Sequence, residues 1–252
     1  MGFRVPGALA GALLAALSLS CTGVDAADTR ARIDDRGADF LRDRIFFVAG
    51  ADHARDSAFA WAGLVAAPLG RLGEDGPRIR VMGGAGRYRY RTAAVPGGAN
   101  TGRVTSGEIL AGYRSTFGPV LVSLYLGAHV EDQRLAAPDP GHPAVGTELG
   151  VKAALELFAQ DASPWSASGF ASVSTVHRAY RLRAALAHEF PSGLSLGVEG
   201  AVHGDARYNE PRVGAFLHTN FHGNVITIAG GVLSNSDKGD GLYATLSLYA
   251  PY

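Results

Sequence analysis

With 252 residues and 23 basic against 23 acidic side chains, the chain has no formal net charge, so nothing points to a nucleic-acid partner. After the N-terminal segment no run reaches the roughly 18 uninterrupted apolar residues of a membrane helix, which excludes a helical inner-membrane protein. The length suits one large domain. Arg4 precedes an apolar run from Val5 to Leu19, and Val24-Asp25-Ala26 supplies small residues for cleavage, so residues 1–26 read as a secretory signal peptide. Cys21 offers lipidation as an alternative, but Ser18 stands where that pattern wants an aliphatic residue. Cleavage after Ala26 or Ala27 leaves a mature chain without cysteine, which suits an oxidising envelope compartment. Residues 27–44 alternate acidic and basic side chains and cannot bury a face; they read as a solvated arm or a partner-binding segment.

From Ile45 onward, alternating runs separated by turn residues predict twelve strands, near 45–51, 57–67, 77–91, 102–114, 119–130, 145–160, 165–176, 180–190, 194–203, 211–220, 224–233 and 241–249. The sixth, VGTELGVKAALELFAQ, sets the rule. Leu149, Val151, Ala153, Leu155 and Leu157 share one parity, and Glu148, Lys152 and Glu156 share the other. Its length exceeds the usual 5 or 6 residues of a globular strand and meets the roughly 9–11 of a tilted transmembrane strand. The expected fold is therefore all-β: an antiparallel transmembrane barrel of about 12 strands over residues 45–252, with lipid on the apolar side and a polar lumen on the other. Connections near 115–118, 161–164, 191–193 and 221–223 are short, as periplasmic turns should be. Those near 92–101, 131–144, 204–210 and 234–240 are longer, as outer loops should be. The 69–76 connection is too long for its side.

Other strands follow the rule. Leu182, Ala184 and Leu186 oppose Arg181 and Arg183, and an arginine facing lipid at the midplane would cost about 2–4 kcal/mol, so these arginines are expected inside. Aromatic residues gather at two levels expected to be headgroup belts. One holds Tyr113, Phe117, Trp165, Phe190, Phe221, Tyr249 and Tyr252; the other holds Phe59, Tyr88, Tyr90, Tyr180, Tyr208 and Tyr243. In the third strand Ile79 and Val81 are odd while Tyr88 and Tyr90 are even. Either a bulge in Gly83-Gly84-Ala85-Gly86 switches the phase, which is the favoured reading, or Arg87, Arg89 and Arg91 face outward toward lipopolysaccharide phosphates.

The blocks GGAGRYRYR (83–91), ILAGYR (109–114), YLGAHVEDQRLAAPDPGHPAVGTELGVKAALEL (125–157) and GVEGAVHGDARYNEPRVGAF (197–216) resemble, in this order, the cellulose biosynthesis protein BcsS family of bacterial envelope proteins. The resemblance covers most of the mature chain. It implies an outer-membrane protein beside the cellulose synthesis and secretion machinery, with cellulose or that machinery as candidate partners besides outer-membrane lipid and lipopolysaccharide. It carries over no catalytic residue and no cofactor.

Two polar sets are candidates for function. The inward set is Glu108, Arg114, Glu131, Glu148, Lys152, Glu156, Arg181, Arg183, Glu189, Glu199 and Arg212. Its mixed signs favour a mutually paired filling over an ion-selective channel. The outer-mouth set has Asp52, His53 and Asp56 in the first loop, and Tyr88, Tyr90, His129, Asp139, His142 and Tyr208 as candidate glycan contacts. Its histidines and carboxylates lack tight metal-ligand spacing, so no metal is expected. Ser174 and His177 have opposite parities, so they should face opposite ways. A non-catalytic accessory role is therefore expected. A lipid- or sugar-modifying enzyme and a passive small-solute channel are the alternatives.

Overall fold

The computed structural model describes residues 43–251 except 143, 161–162, 206–207 and 237–238. The signal peptide, nearly all of the charged arm and Tyr252 lie outside the described residues. Twelve strands form the fold: β1 (Ile45–Ala54), β2 (Ser57–Ala66), β3 (Gly76–Arg91), β4 (Ala99–Phe117), β5 (Val120–Leu135), β6 (Gly146–Gln160), β7 (Trp165–Ser174), β8 (Tyr180–Glu189), β9 (Leu194–Gly204), β10 (Asn209–Phe221), β11 (Asn224–Asn235) and β12 (Gly239–Pro251). Each pairs antiparallel with its sequence neighbours, and β1 pairs with β12 to close the barrel. Closure leaves no unpaired edge, which a lipid-embedded sheet requires because its backbone groups have no water to turn to.

The side-chain distribution is that of a soluble protein turned inside out. Leu124, Leu126, Leu149, Val151, Leu182, Leu186, Val198 and Leu242 are exposed on the outer wall, while Arg80, Glu108, Ser123, His129, Gln133 and Lys152 are buried inside. Such a wall would be insoluble in water and is matched by hydrocarbon. No helix among the described residues is long and apolar enough to cross a membrane. The crossing is made by the strands, of which β3, β4, β5 and β6 have 15 to 19 residues and outrun the roughly 9–11 that a span needs.

Three expectations change. First, β3 has no bulge: Gly83, Gly84, Ala85 and Gly86 pair one to one with β2 and β4. The phase is constant, so Tyr88 and Tyr90 point inward and Arg87, Arg89 and Arg91 lie exposed outside. Second, the far-end aromatics are not a belt. Phe59, Tyr88, Tyr90, Tyr208 and Tyr243 are buried, and of that group Tyr180 alone keeps the outward parity, beside exposed Leu182. At the other end Tyr113, Phe117, Trp165, Phe190 and Phe221 do face outward, whereas Tyr249 turns in against Phe46 with ring centroids 4.5 Å apart. Third, β1 runs on to Ala54, so Asp52 is a lumen residue and the first far-end turn is only Arg55 and Asp56.

The long connection between β2 and β3 has a structural reason. It folds against the chain entering β1, with Ala67 N–H donating to Arg44 O and Leu72 N–H to Asp43 O, each at 2.8 Å. Leu72 is buried, and its carbonyl accepts from Arg114 Nη1 at 2.6 Å and from Arg78 Nη2 at 3.0 Å. Arg78 Nη2 also reaches the carbonyls of Arg71 and Glu74. Two buried arginines thus draw this connection into the barrel mouth at the chain-terminal end.

Inward aromatics sit directly opposite glycines on the next strand, as Tyr88 opposite Gly102 and Tyr125 opposite Gly112. A Cβ on Gly102 would come within 2.1 Å of Tyr88 Cζ, and one on Gly112 within 2.5 Å of Tyr125 Cδ1. The rings lie across the bare glycine backbone and fill the lumen. Tyr88 is also held by its hydrogen bond to Gln133. Gly102→Leu is expected to destabilise the barrel by about 1–3 kcal/mol through overpacking. Gly107→Ala, where an added Cβ meets nothing nearer than 3.7 Å, should stay within about 0.5 kcal/mol. Urea-dependent folding into lipid vesicles checks both; equal effects would contradict the ring-over-glycine packing.

Candidate functional site

The inward faces of β3, β4 and β6 bring together side chains that are far apart in the chain. Arg80 Nε lies 3.0 Å from Glu108 Oε1, Lys152 Nζ 2.6 Å from Glu108 Oε2, and Arg80 Nη1 2.7 Å from Glu156 Oε1. The Arg80 guanidinium also faces the Tyr125 and Phe170 rings at 5.8 and 5.6 Å. Two cations and two carboxylates balance. A buried charge is tolerated when paired with its opposite, and each charge named here has such a partner.

A second cluster lies across β1, β9, β10 and β12. Arg212 forks onto Asp52 with Nη1 at 2.7 Å and Nη2 at 3.2 Å, and it reaches Glu210 Oε1 at 2.7 Å. The Thr245 hydroxyl donates to Asp52 at 2.8 Å, His203 Nε2 lies 3.4 Å from Glu210, and the Tyr208 hydroxyl bonds the same glutamate. Nearby, Arg183 binds Glu199 through Nε and Nη2, each at 2.8 Å, and the Tyr243 hydroxyl donates to the other Glu199 oxygen at 2.7 Å.

At the far mouth, Ala137, Asp139 and His142 pack onto side chains of the inward face. The Tyr88 hydroxyl donates to Gln133 at 2.7 Å, Gln133 donates to Glu131 at 2.6 Å, and Tyr90 donates to Asp139 at 3.1 Å. Asn100 ties the Tyr90 hydroxyl to the Ala137 carbonyl, and His142 lies with its ring centroid 4.9 Å from that of Tyr90. Burial raises the Asp139 carboxyl pKa, but hydrogen bonds from Thr92, Tyr90 and Gly141 outweigh it and hold the group below its ordinary value. Beyond β7 a 3-10 turn at Val176–Arg178 puts His177 and Arg178 in left-handed conformations, with φ of 51° and 55°. That turn sets His177 Nδ1 2.8 Å from Glu148 and Nε2 3.4 Å from Glu131.

Of the eleven predicted lumen residues, Glu108, Arg114, Glu131, Lys152, Glu156, Arg181 and Arg183 are buried, and Glu199 and Arg212 are partly so. Glu148 and Glu189 are instead exposed at the two rims. The candidate glycan residues Tyr88, Tyr90, His129, Asp139, His142 and Tyr208 are all buried. They occupy the inner structure of the mouth, with His129 deeper, where its Nδ1 lies 2.9 Å from Ser174 Oγ. The sequence sets Ser174 only against His177, a pair that parity rejects, and gives no sign of His129, which is 45 positions away. It also left Asp52, Arg78, Arg80 and Glu210 out of the lumen set, although the even parity of Arg78 and Arg80 in β3 carried the signal.

Pairing in the lumen makes a measurable prediction. Glu108→Gln leaves Arg80 and Lys152 with one carboxylate fewer and should destabilise the barrel by about 3–5 kcal/mol, while Glu108→Met combined with Lys152→Met should recover most of the loss. Urea titration in lipid vesicles reads both. A Glu108→Gln variant as stable as the wild type would refute the paired filling.

Among solved structures, the chain is similar to the KdgM porin, at 9% identity and a TM-score of 0.50, over 82% of this chain and 99% of that one. The KdgM porin in complex with disordered oligogalacturonate gives 11% identity and the same score and coverage. LpxR from Salmonella typhimurium scores 0.49 at 11% identity, over 82% of this chain and all of that one. The two KdgM likenesses show the outer-membrane-type barrel fold. No curated protein matches in sequence. The family model for the cellulose biosynthesis protein BcsS matches residues 45–251, the whole described barrel, and the chain belongs to that family.

Proposed function

We propose that this protein is a non-catalytic accessory of cellulose production or export at the outer membrane, acting by structure and interaction. The observation that carries the proposal is the filling of the lumen. Balanced ion-pair clusters and inward aromatics occupy it, the 67–75 connection enters one mouth, and Asp139 and His142 pack onto the inward tyrosines at the other. A barrel built as a conduit or a selective pore would leave a lined passage with one prevailing sign or a row of sugar-stacking faces. Here the tyrosines that would stack on a glucan are engaged in holding the far mouth. In this proposal the outer connections present the surface that meets glucan or a subunit of the secretion machinery, and Tyr88, Tyr90, Asp139 and His142 keep that surface in shape.

The buried Ser174 and His129 pair supplies a specific alternative, a hydroxyl activated by an imidazole as in acyl transfer. A clean deletion, complemented with the wild-type gene or with Ser174→Ala, separates the two. The accessory role predicts less or altered extracellular cellulose on deletion, restored equally by both genes. Restoration by the wild type alone would favour catalysis. Cellulose unchanged in amount, location and fibre form would remove the proposal.

A further inference from the structure

The outward face of β1, β2, β3 and β12 contains a depression of about 900 Å³. Its floor is Ala51, Ala60 and Ala85, which stand directly opposite one another on adjacent strands. Leu246 and Ile228 edge it on the side toward the middle of the wall, and Arg87 and Arg103 stand at its far-end margin. These two arginines are exposed and directly opposite each other across β3 and β4. Like charges in that position repel. Arg134, opposite Arg103 on the next strand, is neutralised by Asp132 at 2.8 Å, but neither Arg87 nor Arg103 has an anionic partner among the described residues.

We infer that this depression is a binding site for an acylated, phosphorylated glycolipid of the outer leaflet, with an acyl chain on the alanine floor and a phosphate between Arg87 and Arg103. Depth, shape and charge agree. Arginine on the lipid side is tolerated only near the interface, which sets these two at headgroup level with the small-residue trough running from them toward the membrane middle. Lipid must fill any hollow on this wall, and alanines admit a chain more deeply than the leucines around them. Guanidinium groups bind phosphate through paired N–H donors. Two adjacent guanidiniums match the charge of about −1.5 to −2 on a phosphate monoester better than the single charge of a phosphodiester, which favours the sugar-linked phosphates of a glycolipid over glycerophospholipid.

The test is native mass spectrometry of the delipidated full-length mature protein in detergent. It is titrated with bisphosphorylated hexa-acyl lipid A, with phosphatidylglycerol, or with inorganic phosphate as competitor. The wild type is expected to hold one lipid A at least tenfold more tightly than phosphatidylglycerol, and excess phosphate should not displace it. Arg87→Gln with Arg103→Gln should weaken lipid A binding at least tenfold, and Ala85→Leu, which fills the floor, should weaken it as well. Both variants change only outward side chains, and a boiling-dependent gel shift like that of the wild type verifies their fold. Lipid A binding unchanged in the two folded variants, equal affinity for phosphatidylglycerol, or displacement by phosphate alone would overturn the inference.

Discussion

Everything in this molecule follows from a sheet that must satisfy all its backbone hydrogen bonds without help from solvent. Hydrocarbon outside offers no partner, so the sheet closes on itself through β1 and β12, and every strand pairs on both sides. Closure then sorts the side chains. Because successive residues alternate between the two faces, each strand must deliver apolar groups to lipid and polar groups to the lumen without a slip of one position. The uninterrupted register of β3, maintained through four consecutive small residues, shows how strictly this holds.

A polar interior in a narrow barrel raises a second problem, which the chain meets in two ways. Charges are brought in as compensating sets, such as Arg80 with Glu108 and Glu156, or Arg212 with Asp52 and Glu210, so that desolvation is offset by pairing. Aromatic rings take the remaining volume by lying over glycines of the adjacent strand. The two devices interleave: an apolar cluster that includes Phe46, Trp61 and Tyr90 lines β1 to β3, while Asp52 of β1, Arg80 of β3 and Glu108 of β4 join ion pairs with side chains of β6 and β10.

The fold was legible because it is written locally. Parity in β6 alone separates Leu149, Val151 and Leu157 from Lys152 and Glu156, and the structure keeps that division. The seven buried lumen charges were legible for the same reason. What the sequence hid was partnership across distance. Arg80 meets Glu156 across 76 positions and Arg212 meets Asp52 across 160, and no spacing rule reveals such pairs. Residue type suggests a belt for the far-end aromatics, but an unbroken parity in β3 places Tyr88 and Tyr90 inside. Glycine density in β3 suggests a bulge, whereas the physical reason for Gly86 is a ring: a Cβ there would strike Phe59.

The central claim is that the lumen is occupied by the protein's own side chains and inward connections, which makes the barrel a platform. Single-channel conductance in planar bilayers tests this most directly, comparing the wild type with a variant in which a short turn replaces the 68–75 connection and Arg78 and Arg114 are changed to Ser. The account predicts that the wild type stays near the baseline and that the variant opens measurable steps. Steady, large wild-type conductance indifferent to that change would contradict it.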